Sequence, residues 1–175
     1  MTSLETWGSF YLVASAASAA LVGLLFVVLA LAAERLPATE SKRIRTYLTP
    51  SVVQLALVLV LAGLLTFPSH SRLSITIACC AIGTFGLGYA VSVLLVGVRG
   101  HAFREGSDIL YYAILPATAH AALVVGGAMI TTSATPRPGL TCVASGVLGL
   151  VVVALRNAWS VASSLVSIRG RNNPP

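Results

Sequence analysis

Long apolar runs, too many for a soluble domain to bury, are the feature that most constrains this chain. They cover residues 8–33, 51–67, 73–98, 109–131 and 140–160, the last of them apolar as far as Leu155. A helix needs about 20 predominantly apolar residues to cross a hydrocarbon core roughly 30 Å thick. The second run, held between Pro50 and Pro68, is near the lower limit and is expected to stand close to upright. Lipid offers the backbone no hydrogen bonds, so a spanning segment pairs its own amides as a helix or closes into a barrel. The runs lack the in-and-out alternation of barrel strands. The expected fold is therefore all-α, a transmembrane bundle of about five spans in a single domain, with a tail helix over 156–168 lying along the membrane surface.

Composition supports this solvent. Of the 175 residues, 57% are hydrophobic and 9% charged, against roughly 25% charged in an ordinary soluble domain. The first run is longer than a signal-peptide core and follows Glu5 instead of a basic cluster, so it reads as a retained anchor.

Orientation follows from the basic residues, which gather on the cytoplasmic side. With the loop after the first run inside, Arg35, Lys42, Arg43, Arg45, Arg99, Arg104, Arg156, Arg169 and Arg171 fall inside, and Arg72 and Arg137 outside. This predicts an N-terminus outside and a C-terminus in the cytoplasm. The same asymmetry accounts for the net charge of +6 without invoking nucleic acid, which is not an expected partner.

Membrane helices associate where small residues let backbones approach. Ser15, Ala19 and Gly23 recur every four residues in the first run, and Cys79, Gly83, Gly86, Ala90 and Gly97 line one side of the third. Both are expected packing faces, toward another span or a second subunit. The Thr84-Phe85-Gly86-Leu87-Gly88 segment has a faint likeness to a potassium-channel filter but lies within a full-length span, where no filter forms.

One stripe could carry chemistry. Asp108, Tyr112, Pro116 and His120 are spaced by four, and His120 falls at the middle of its run, where an ionisable side chain is costly. Pro116 cannot donate a backbone hydrogen bond, which is expected to free the carbonyl of Tyr112. Such a stripe could line a path for protons or a small solute. The favoured alternative is structural: His120 is neutral and bonded to a facing Ser, Thr or Tyr, and Pro116 merely bends the helix. His70 and His101 fall in loops, so a bis-histidine haem lacks its second ligand. Cys79, Cys80 and Cys142 lack zinc or redox spacing, and the loop residues His101, Arg104, Glu105 and Asp108 read as a solvated cap. No cofactor, no metal and no enzymatic activity is expected.

Near the end of the last run, about 24 Å along the helix from Leu140, Arg156 can snorkel to the interface and Trp159 can anchor there. The segment Arg156-Asn157-Ala158-Trp159 resembles the end of the last helix in small, uncharacterised bacterial multi-pass membrane proteins. In that pattern an acidic residue often follows the tryptophan, where this chain has Ser160. The resemblance implies a bacterial cytoplasmic membrane, with which the Ala, Val, Gly and Arg bias agrees, and carries no activity. Two functions remain open: an accessory or modulator subunit of a membrane complex, partnered by another membrane protein or a second copy, and a small oligomeric channel or transporter.

Overall fold

The computed structural model describes residues 5–35, 38–67, 71–99 and 109–172, with side-chain surroundings for 7–31, 48–67, 71–99 and 109–163. Five helices follow one another: α1 (Glu5–Arg35), α2 (Ala38–Leu65), α3 (Arg72–Arg99), α4 (Leu110–Thr132) and α5 (Arg137–Asn172). Each contains a segment long and apolar enough to cross a membrane. The protein is a multi-pass transmembrane helical bundle.

Two helices outrun the apolar segments that predict them. α2 starts at Ala38, ahead of the run expected at 51, and carries Pro50 inside it. Proline removes only one donor, to the carbonyl four residues back, and the Ala, Glu, Lys and Arg of 38–45 are good helix formers, so the turn before Pro50 stays helical. Likewise, the residues of the tail helix expected over 156–168 are helical as the continuation of the last span. α5 continues through them as one helix to Asn172, because Arg137–Asn172 has no glycine or proline between Gly149 and Gly170 to break it. The filter-like Thr84–Gly88 segment is helical within α3.

The packing order is α3, α4, α5, α2, α1, with smaller contacts between α2 and α3 and between α1 and α5. α1 and α3 thus form the two edges. Among 18 consecutive apolar residues, 17% are buried in α1 and 22% in α3, against 50% in α2 and in α5. Toward one end, Tyr11, Leu61, Ile75, Leu123, Ile130 and Leu140 bring all five helices into one core. There the Tyr11 hydroxyl donates to the Leu140 carbonyl at 3.4 Å. Toward the other end a second cluster, Leu25, Leu48, Leu55, Ala154 and Val161, joins only α1, α2 and α5.

The small residues of α3 are buried: Cys79, Gly83, Gly86, Ala90 and Gly97. Those of α1 turn the other way. Ser15 is half-buried and donates to the Leu59 carbonyl, but Ala19 and Gly23 are exposed, and a Cβ on Gly23 would meet nothing within 4 Å. The inward face of α1 is instead Tyr11, Ala14, Ser18 and Leu25, two small residues between two large ones. Small residues mark a face that a helix can approach, and no other helix of the described residues lies against Ala19 and Gly23.

Around α4 the backbones come closest. A Cβ on Gly126 would lie 2.8 Å from the Gly139 carbonyl oxygen and 2.8 Å from the Val143 nitrogen; one on Gly139 would lie 2.6 Å from the Gly126 oxygen. Polar side chains from both neighbours cap α4 carbonyls: Thr76 donates to Gly127 at 2.8 Å, Cys80 to Val124 at 3.7 Å and Cys142 to Ala122 at 3.3 Å. All three cysteines are free thiols, and Cys80 and Cys142 act here as small donors in a tight seam.

Candidate functional site

Tyr112, Pro116 and His120 share the buried face of α4, as their spacing requires; Asp108 lies outside the described residues, as do His70, His101, Arg104 and Glu105. All three side chains are buried. His120 is fully buried, and α3 closes over it: a Cβ on Gly86 would fall on the imidazole ring, and one on Gly83 would lie 3.0 Å from the His120 carbonyl oxygen. Only glycine at 86 leaves room for the ring. Both ring nitrogens lack a hydrogen-bonding partner in the structure, so the Ser, Thr or Tyr expected opposite His120 is not found among the described residues.

One helical turn pair away lies the local distortion. Residues Leu110–Ile114 form a π-helical turn, in which the Leu115 amide reaches back five residues to the Leu110 carbonyl. This moves the consequence of Pro116 by one residue. In the α register Pro116 would have served Tyr112, but in the π register it stands five residues after Tyr111 and has no hydrogen to give. The carbonyl that needs an outside donor is therefore that of Tyr111, not Tyr112. Asn157, fully buried on α5, supplies it through its side-chain amide at 3.1 Å.

Arg156 completes the junction. Its guanidinium carbon sits 3.5 Å from the centroid of the Tyr111 ring, and one of its nitrogens donates to Asn157 Oδ1 at 3.5 Å. Arg156 is half-buried with its guanidinium stacked on the Tyr111 ring, and Trp159 is exposed. A planar cation on an aromatic face, next to an amide bonded to a distorted helix, fixes the end of α4 against α5.

The junction makes a test. Replacing Asn157 with Leu leaves the Tyr111 carbonyl buried and unpaired, at a cost of about 1–3 kcal/mol. Pro116→Ala restores a donor to the same helix. We therefore expect Asn157→Leu to lower the unfolding temperature clearly in the native background and much less in the Pro116→Ala background; equal losses in both would contradict this hydrogen-bond account.

Sequence reasoning passed over Tyr111 and treated Asn157 only as part of a polar segment. It also passed over Gln54, Ser51 and Ser18, which are buried within the bundle. An uncharged polar residue inside an apolar run is the signal that marks such positions. Among the described residues no group of three His, Cys, Asp or Glu gathers as metal ligands do. Compared with known proteins, the chain matches no family model, no curated sequence and no solved structure.

Proposed function

We propose that the protein is a non-catalytic accessory or modulator subunit of a larger membrane complex, and that the outward face of α1 docks against a transmembrane helix of another membrane protein. The observation that carries this reading is the direction of the small residues on α1. Ala16, Ala19, Ala20 and Gly23 are all exposed, on the edge helix that the chain itself buries least. Lipid gives no reason to keep such a face small, whereas a closely approaching helix does. Exposed Leu12, Val13, Leu24 and Phe26 flank it and would grip a partner helix on both sides.

The same proposal sets the protein in the cytoplasmic membrane of a bacterium, with the N-terminus outside. The excess of Lys and Arg on the side holding 35–45 supports the orientation. The Arg-Asn-Ala-Trp segment and the Ala- and Arg-rich composition support the source.

The test is complex size in gently solubilised native membranes, for the natural chain and for Ala19→Leu and Gly23→Leu. The natural chain should run with its partner, and the variants should run alone with an unchanged unfolding temperature. A natural chain that runs alone, or variants that stay in the complex, would overturn the proposal.

A proton or small-solute conduit is the second reading, favoured by the two unpartnered nitrogens of His120 at mid-membrane. It predicts flux in proteoliposomes that His120→Ala abolishes. The subunit reading predicts no flux from the isolated chain.

A further inference from the structure

A guanidinium carries its N–H donors around the edge of a plane, and an aromatic ring stacked on it takes the face and leaves the edge. Arg156 is in that position. Its guanidinium carbon lies 3.5 Å from the centroid of the Tyr111 ring, and one nitrogen donates to Asn157 Oδ1 at 3.5 Å, the long limit of a hydrogen bond. The Asn157 amide is itself engaged, since its nitrogen donates to the Tyr111 carbonyl. Among the described residues no further acceptor reaches the guanidinium. The five acidic residues, Glu5, Glu34, Glu40, Glu105 and Asp108, lie outside those whose side-chain surroundings are described.

Depth follows from the helix. Arg137 and Arg156 stand about 29 Å apart along α5 at 1.5 Å per residue, close to the roughly 30 Å of a hydrocarbon core. A bilayer that meets Arg137 at one face therefore brings its other headgroup layer to Arg156. Trp159, nearly one turn further on and exposed, is the residue type that sits at that level. Ser160, four residues after Arg156, is exposed on the same side of the helix. Back toward the bilayer centre, Val152 and Leu148, four and eight residues before Arg156, are exposed as well.

We propose that this corner of the α4–α5 junction binds the phosphate of an anionic phospholipid, with the edge of the Arg156 guanidinium donating to two phosphate oxygens and an acyl chain lying along Val152 and Leu148. Guanidinium and phosphate match as a fork of parallel hydrogen bonds, and the Tyr111 ring holds the fork in one plane before the lipid arrives. Basic corners between transmembrane helices at headgroup level hold such lipids. The apolar residues beside the cation select a lipid over a free phosphate, and the cation selects a headgroup of net negative charge over one that carries its own ammonium. The site lies on α4 and α5 and is independent of what docks on α1.

Native mass spectrometry tests this on the full chain, purified in detergent and given equal amounts of phosphatidylglycerol and phosphatidylcholine with the same acyl chains. The natural chain should retain phosphatidylglycerol several-fold more. Arg156→Gln should bring the two lipids to near-equal retention, whereas Arg99→Gln, which removes an exposed cation at the same end of the bundle, should leave the preference intact. If Arg156→Gln does not fold, Ser160→Asp, at an exposed position, should abolish the preference by placing a carboxylate beside the guanidinium. An excess of glycerophosphoglycerol, the headgroup without its chains, should not displace the lipid. Equal retention of both lipids by the natural chain, a preference that survives Arg156→Gln or falls as far with Arg99→Gln, or displacement by the soluble headgroup would overturn the proposal.

Discussion

Gly86→Ala lowers the unfolding temperature of this protein sharply, and His120→Ala in the same chain restores much of the loss. The added methyl group falls on the imidazole of His120, which is fully buried between α3 and α4. Overpacking of a filled core costs about 1–3 kcal/mol, because side chains leave their rotamers or backbones move apart. Removing the ring at 120 takes away the atoms that the new methyl meets, so the two substitutions are strongly coupled when measured as a double-mutant cycle. Thermal unfolding in one detergent, by tryptophan fluorescence or light scattering, reads all four chains. Additive losses would mean that Gly86 is small for a reason other than the ring.

Gly126→Ala and Gly139→Ala have a larger effect, and no truncation rescues them. Their added methyl groups meet backbone atoms of the facing helix: the Gly139 oxygen and Val143 nitrogen for one, the Gly126 oxygen and Ile130 nitrogen for the other. A side chain can rotate away, but a helix backbone retreats only by separating the two helices. The expected cost is at or above the top of the roughly 1–3 kcal/mol range for overpacking. Val143→Ala, which removes a side-chain atom 2.9 Å from the hypothetical Gly126 methyl, should leave the loss nearly intact. Substantial rescue by Val143→Ala would show that α4 and α5 approach through side chains after all.

The contrast between these two sites explains what was legible beforehand. The spans were readable because lipid admits few structures and each needs a long apolar run. The face of α3 was readable because Cys79, Gly83, Gly86 and Ala90 alternate steps of four and three, which keeps them on one side of a helix. On α1 the same rule picks out a small face but does not say whether a helix of this chain or of another covers it. Ala19 and Gly23 look outward while Tyr11 and Leu25 look inward.

At the candidate site the sequence placed Tyr112, Pro116 and His120 on one face, as the helix period demands. It could not show that a π-helical turn would shift the orphaned carbonyl to Tyr111, because one extra residue in a turn leaves no mark in the spacing of side chains. Nor could it join Asn157 to that carbonyl across 46 residues of chain. Pairings of that kind depend on which helices become neighbours, and here α4 and α5 are brought together by Gly126 and Gly139.

Docking through α1 is the central functional claim, and a photo-crosslinking amino acid at position 19 tests it most directly in native membranes. A control probe at position 96 sits on the outer face of α3, where Val96 is 71% exposed. The account predicts an adduct with a different membrane protein from position 19 and none from position 96. Lipid adducts alone from both positions, or an adduct of twice the chain's own mass from position 19, would contradict it.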